Sequence, residues 1–404
     1  MKMLVIVSEF PKLTETFAYR NLIEYMRLGH DPWLFHIKPF RSAETMHGFM
    51  APLVSRVFTL SFAGPGTLGQ VFAEWLRNPL RMTRLTARLC AAHCRHPGRA
   101  LAVAALYPKS VALGRWCKEN GIQHIHAEFA GHPASSAMIA SVVSGVPFSF
   151  TAHANDIFVS QAMLADKAKA ARFVRAISRY NTRFLTELPE FPAHKLRLIR
   201  CGVPRVITTA PVPGPPDAKG LSILYVGSLT EKKGVAHLLD ALAMLPRDMP
   251  WTARIVGGGA LLGMLQAQAQ RLGLCNRVAF DGPLPAEAVA EAQAGAHVIV
   301  VPSVAGPGGR VEGIPVVLME AMGHGRVVVA SALSGIPELV KDGKTGFLVP
   351  PGKPRAIANA LCRIADDWPA AACMAGRGQA QIRADYVIER NARDLAATIM
   401  ETSQ

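Results

Sequence analysis

Two glutamates eight residues apart, Glu312 and Glu320, frame the segment "EGIPVVLMEAMGHG" at residues 312–325. Most of the residues between them are apolar. Pro315 suits the first turn of a helix, where a missing N–H leaves nothing unsatisfied. Gly323 and Gly325 suit its end. Such a helix points free amides and a positive dipole end at whatever lies before it, a setting for a diphosphate or a sugar hydroxyl. Glu312 precedes that end and can accept hydrogen bonds from sugar hydroxyls. Glu320 lies further along and can accept two bonds from a ribose diol, since a carboxylate accepts in pairs where a vicinal diol donates in pairs. The plainer alternatives are an acid complementing the helix dipole for Glu312 and a salt-bridged helix-face residue for Glu320. The apolar neighbours of Glu320 weigh against the latter.

Residues of this kind need a rigid scaffold behind them. Apolar, β-rich runs fall at 3–8, 31–37, 122–129, 147–153, 172–178 and 196–201. A second series falls at 221–227, 252–257, 277–282, 296–303, 326–331 and 346–350, with helical stretches between the runs. Strand–helix alternation predicts parallel sheets covered by helices on both faces. Residues 203–219 hold five prolines and interrupt the alternation, as a linker would. The expectation is an α/β chain of two Rossmann-like, doubly wound domains facing across a cleft. The first covers 1–204, the linker 205–217 and the second 218–384, with the last helix, 385–404, packing back on the first. Ligands of such sheets bind at the carboxyl ends of the strands, and the Glu312 segment follows a strand ending near Ser303.

With 404 residues, 50% hydrophobic and 18% charged, the chain can bury a sizeable core in each of two or three domains and is not disordered. No apolar run reaches the roughly 18 residues of a membrane span. The N-terminal "MLVIVSEF" lacks a cleavage site and reads as a buried first strand. Seven irregularly spaced cysteines point to a reducing compartment, so a cytoplasmic protein is expected. Cys90, His93, Cys94 and His96 come nearest to metal spacing, but no second ligand pair follows at finger distance. The net charge of +15 calls for an anionic partner. From Arg77 to Lys118 there are nine basic residues and no acidic ones. Arg77, Arg81, Arg84 and Arg88 recur at helical spacing and share one face. That face is either simply solvated or a peripheral contact with anionic membrane. Nucleic acid is disfavoured, because no aromatic residues interleave with the arginines.

In combination these motifs resemble glycosyltransferase family 4, the retaining GT-B enzymes. "EGIPVVLMEAMGHGRVVVASALSGIPELVKDGKTGFLV" is similar to the family's donor-site signature, with Glu312 and Glu320 as its paired glutamates. "LYVGSLTEKKG" (224–234) resembles its phosphate loop and "GVPFSFTAHANDIF" (145–158) a site segment of its N-terminal domain. "LRLIRCGVP" (196–204) resembles the strand that leaves that domain. "SEFPKLTETF" (8–17) is similar to the first loop of members that build bacterial exopolysaccharide and lipid-linked oligosaccharide. The resemblance implies that Lys233 contacts the donor diphosphate, that Glu312 holds the donor sugar and Glu320 the ribose, and that His153 lies near the reacting sugar on the acceptor side. It places the amides of Gly313 and Ile314 near sugar and phosphate. A lysine suits that role, because it brings a mobile point charge to a leaving group that gains negative charge.

One position departs from the pattern. Ser228 follows Gly227 where the family usually has an arginine, and Arg310 is the candidate replacement from the facing loop. "DGKTG" (342–346) is not a P-loop, because Glu338 stands where its first glycine is required. "GGGALLG" (257–263) lacks the third glycine of a dinucleotide fingerprint. No Asp-x-Asp occurs, so neither metal nor other cofactor is expected; the resemblance implies that helix dipoles and basic residues carry the diphosphate charge instead. The implied reaction moves a hexosyl group from a nucleotide sugar to a hydroxyl of a saccharide or lipid-linked acceptor, with retention. A nucleotide-sugar epimerase and a non-catalytic sugar-nucleotide-binding protein remain as alternatives.

Overall fold

The computed structural model describes residues 1–12, 15–41, 46, 48–94, 97–158, 161–309 and 311–403. They form two compact units, one of 1–199 with 390–404 and one of 200–389. Each is built on a parallel sheet.

In unit 1 the strands are β1 (Lys2–Val7), β2 (Asp31–His36), β3 (Val57–Phe58), β4 (His124–Ala127), β5 (Phe148–Ala152), β6 (Val174–Ala176) and β7 (Leu196–Leu198). Their order is β3-β2-β1-β4-β5-β6-β7. Unit 2 carries β8 (Leu221–Val226), β9 (Trp251–Val256), β10 (Val278–Gly282), β11 (Val298–Val301), β12 (Val327–Ser331) and β13 (Phe347–Val349), in the order β10-β9-β8-β11-β12-β13. Every run expected to be a strand is one. The strand the sequence did not announce, β3, is a two-residue edge piece too short to show a pattern. In both sheets the chain winds outward from its first strand, returns, and winds the other way. The reversal falls between β1 and β4 in one unit and between β8 and β11 in the other. At such a switch point successive helices cover opposite faces, so the loops at the strand ends part and leave a crevice.

The last helix, Ile388–Ser403, lays Ala392, Leu395, Ala396 and Ile399 into a buried cluster with Met3, Val5, Tyr19 and Phe173 of unit 1. The proline-rich segment after β7 is held to unit 2. Arg326 donates to the carbonyl of Pro211 and Gln379 to that of Ala210, and Ile207 packs so closely on Gly323 that a β-carbon there would lie 2.8 Å from it.

Unit 1 also buries two histidines on one face of β4. His124 shares hydrogen bonds with Ser403 and Ser149, and His126 with Ser149 and Thr151, at 2.8–2.9 Å. Burial pushes their pKa values down to about 3 and about 4, so both rings stay neutral in the fold. A lowered histidine contributes stability that is present above its unfolded value, roughly 6.5, and is lost as the pH falls toward the folded value. The stability of unit 1 against urea should therefore fall below about pH 6.5, by up to ~1.4 kcal/mol per pH unit for each ring. Replacing both with Gln should flatten the profile over that range, and an unchanged slope would assign the acid sensitivity elsewhere.

Candidate active site

The site in unit 2 forms at its switch point. Behind β8, the loop 227–234 turns back on the end of β11. Gly234 has φ +67, and a β-carbon there would sit 2.0 Å from the carbonyl oxygen of Pro302, so only glycine allows the approach. The amide of Val304 donates to the carbonyl of Lys232 at 2.9 Å, which fixes the two loops together. Lys233 is thereby held with its Nζ 2.6 Å from Glu312 Oε1, and Lys232 lies 3.9 Å from the same oxygen. Ser303, at the exit of β11, donates to Glu312 Oε2 at 2.8 Å. The Glu312 and Lys233 side chains are 10% and 17% exposed, so the pair is largely shielded yet reachable from solvent.

Two helix N-termini adjoin this pair in sequence. Val235–Ala243 starts after Gly234 and Val316–Gly323 after Pro315. Neither a glycine nor a proline has a side chain that can cap, so the first amides of both helices lack side-chain acceptors and remain suited to an anion. Tyr225 donates its phenol to the carbonyl of Ser228 at 3.0 Å. Burial, and then the Glu312 carboxylate, push that phenol well above its usual range, so it stays protonated. The glycine run after β9 packs backbone on backbone against the same loop. A β-carbon on Gly257 would meet the Gly227 carbonyl at 1.9 Å, which is the physical reason for glycine where no dinucleotide fingerprint exists.

Gly313 and Ile314 lie between Glu312 and the helix start, partly exposed. Glu320 is partly exposed in the helix Val316–Gly323, and the amide of buried Gln293 donates to it at 3.3 Å. Ser228 is exposed. Arg310 lies outside the described residues, as does His96 of the Cys/His group. Among the described residues no group of three or more His, Cys, Asp or Glu is arranged to hold a metal.

In unit 1, His153 follows β5. Its ring lies between Phe17 and Phe129, at centroid distances of 4.7 and 5.0 Å. Glu128, at the end of β4 and fully buried, points Oε2 at His153 Nε2 from 3.8 Å and at Arg175 Nη1 from 3.9 Å, and accepts from Asn21 through Oε1. Burial alone would raise the Glu128 carboxyl, but the His153 ring, with His126 and Arg175 behind it, holds it well below the usual range. Ser303, Lys232 and Glu128 were not singled out in the sequence. Ser303 and Glu128 stand at strand ends, the positions where such sheets place ligand groups, and that signal was available.

Residues 220–367 match the family described as Glycosyl transferases group 1. The matched stretch lies within unit 2. WcaL of Escherichia coli (strain K12), named for colanic acid biosynthesis, is 34% identical over 210 residues, 52% of each chain. The amylovoran biosynthesis glycosyltransferase AmsK of Erwinia amylovora is 37% identical over 145 residues, 36% of each chain. The chain thus spans about half the length, or less, of these curated relatives. Anabaena Alr3699/HepE, solved in complex with UDP, superposes with a TM-score of 0.75 at 20% identity, over 99% of this chain and 100% of the other. That likeness shows the fold, two Rossmann-like units of GT-B type.

Proposed function

We propose that this chain is a retaining glycosyltransferase that moves a hexosyl group from a nucleotide-diphosphate sugar to a hydroxyl of a saccharide or lipid-linked saccharide in cell-surface polysaccharide synthesis. The Lys233–Glu312 pair at the β8/β11 switch point carries this reading. It sets a cation for phosphate beside an acceptor of sugar hydroxyls, next to two uncapped helix starts. The group 1 match and the names of WcaL and AmsK support it.

In the proposed reaction the diphosphate enters over Lys233 and the amides after Gly234 and Pro315. The donor sugar takes up Glu312, and the ribose takes up Glu320. The bond from the anomeric carbon to the diphosphate oxygen breaks, and that oxygen gains the charge that Lys233 stabilises. The acceptor hydroxyl forms its bond on the same face, and its proton passes to the departing phosphate, which preserves the anomeric configuration. His153 serves the acceptor side, where Glu128 orients it. The diphosphate charge is assigned to Lys233, the helix starts and Arg310 rather than to a metal. No helix among the described residues is long and apolar enough to cross a membrane. We place the protein on the cytoplasmic face of the membrane, in contact through Arg77, Arg81, Arg84 and Arg88.

A panel of nucleotide sugars tested by thermal shift checks the donor half. The true donor should stabilise the protein by about 2.7 kcal/mol at a hundred times its Kd and raise the melting temperature more than its nucleoside does. No response to any nucleotide sugar or nucleoside diphosphate would contradict the reading.

A further inference from the structure

The helix Pro65–Arg77 presents an apolar ridge to solvent. Leu68, Phe72 and Leu76 recur every fourth residue and so share a face, where they are 49%, 66% and 68% exposed. The other side of this helix is seated, with Thr67 and Glu74 buried and Val71 and Trp75 packed on the unit 1 core. Leu80, at the start of the next helix, Pro79–His93, is likewise 74% exposed. Isolated exposed leucines are ordinary on a soluble protein, but a run of four large apolar side chains marks a contact surface.

The four arginines do not share one helical face as their spacing suggests. Asn78 and Pro79 end one helix and start the next, leaving Arg77 on the helix Pro65–Arg77 and Arg81, Arg84 and Arg88 on the helix Pro79–His93. They nevertheless converge where the ridge ends. Arg77, Arg81, Arg84 and Arg88 line, with Leu80, one open cavity of about 560 Å³. Two of them are tied to the body of unit 1. Arg81 donates to the carbonyl of Val142 at 3.3 Å, and Arg88 pairs with Asp166 at 3.2 Å. The whole stretch from Arg77 to Lys118 contains no acidic residue. Cations around a hollow, adjoining an apolar ridge, match the chemistry of one partner, a bilayer whose headgroups carry phosphate and whose interior is hydrocarbon. A nucleic acid would call for aromatic rings set among the cations, and here the apolar residues form a separate ridge beside them.

We infer that this surface docks unit 1 on an anionic lipid bilayer, with lipid phosphate in the arginine-lined cavity and the Leu68–Phe72–Leu76 ridge entering the acyl boundary. This goes beyond charge attraction. Arginines alone would give an attachment that salt erases, because screening at 0.15 M acts beyond about 8 Å. Apolar insertion adds a part that salt does not screen. The inference rests on the membrane contact proposed above and adds to it the apolar ridge and the phosphate-holding cavity, but it does not depend on the donor assignment, since the proposed nucleotide residues all belong to unit 2.

Vesicle sedimentation tests it on the full chain. Wild type should bind phosphatidylglycerol-containing vesicles tightly, keep part of that binding in high salt, and bind pure phosphatidylcholine vesicles much more weakly, at about the level that high salt leaves. Phe72→Ser with Leu76→Ser leaves the charge unchanged and should weaken binding by roughly tenfold or more, the scale expected for withdrawing two large apolar side chains from the interface. Arg77→Glu with Arg84→Glu should weaken it comparably and remove most of the salt dependence. Phe72→Trp should gain a blue-shifted emission that brominated lipids quench. Equal melting temperatures and equal nucleotide binding in unit 2 establish that the variants are folded. The inference is overturned if the apolar double variant binds like wild type, if Phe72→Trp is not quenched, or if wild type ignores anionic vesicles at low salt. It is equally overturned if wild type self-associates through the ridge without binding vesicles, which would make the occupant a second copy of the chain.

Discussion

Glu312→Gln should lower turnover by about two to three orders of magnitude, the scale for losing a preorganised polar contact at a reacting centre, while leaving the fold intact. Glu312 belongs to a loop and is not packed in either core. Glutamine keeps the shape and can still accept the hydroxyl of Ser303, but it loses the charge that sits 2.6 Å from Lys233. That loss has a second consequence. In the free protein, Glu312 and Lys233 neutralise each other, so an incoming diphosphate competes with a carboxylate for the ammonium. Removing the carboxylate charge should leave nucleoside diphosphate binding as tight as in wild type or tighter, even as turnover falls. Calorimetry with the nucleoside diphosphate and initial rates with the true donor separate the two effects. Wild-type turnover in the variant would remove Glu312 from the site.

Lys233→Ala should have the opposite signature. It removes a charge-assisted contact of about 1.5–3 kcal/mol, so nucleoside diphosphate should bind roughly ten- to a hundredfold more weakly, while the nucleoside, which has no phosphate to present, should bind almost as before. The effect is compounded because Glu312 then faces the diphosphate without its counter-charge. The double variant Lys233→Ala, Glu312→Gln should therefore recover part of the lost affinity, and the non-additivity measures the coupling across the pair. Equal losses for nucleoside and nucleoside diphosphate would take Lys233 away from the phosphates.

Most of the scaffold was legible because burial on both faces writes parallel strands as continuous apolar runs, such as "LSILYV" and "VVVAS". The two-residue β3 was not, since its pairing is set by the neighbouring β2 rather than by any pattern of its own. At the site, the helix start after Pro315 was readable from proline and glycine chemistry. The ion pair between Lys233 and Glu312 was not, because it joins loops 79 residues apart in sequence that only the switch-point topology brings together. In the sequence, Gly234 is only the last residue of the segment 224–234. Its close approach to Pro302 is a property of two loops at once. The apolar ridge at Leu68, Phe72 and Leu76 was overlooked for a related reason. Apolar residues four apart on a helix usually face a core, and exposure alone shows that these do not.

The central claim, that this chain transfers a glycosyl group from a nucleotide sugar with retention, is tested most directly by following the donor itself. The nucleotide sugar that most stabilises the protein should be incubated with wild type and with Glu312→Gln and monitored by proton NMR at the anomeric signal. The prediction is slow release of the nucleoside diphosphate by wild type, with the first free sugar or glycoside carrying the donor's anomeric configuration, and strongly reduced release by the variant. An intact donor bound without turnover, a donor converted to an epimeric nucleotide sugar, or a product of inverted configuration would contradict it.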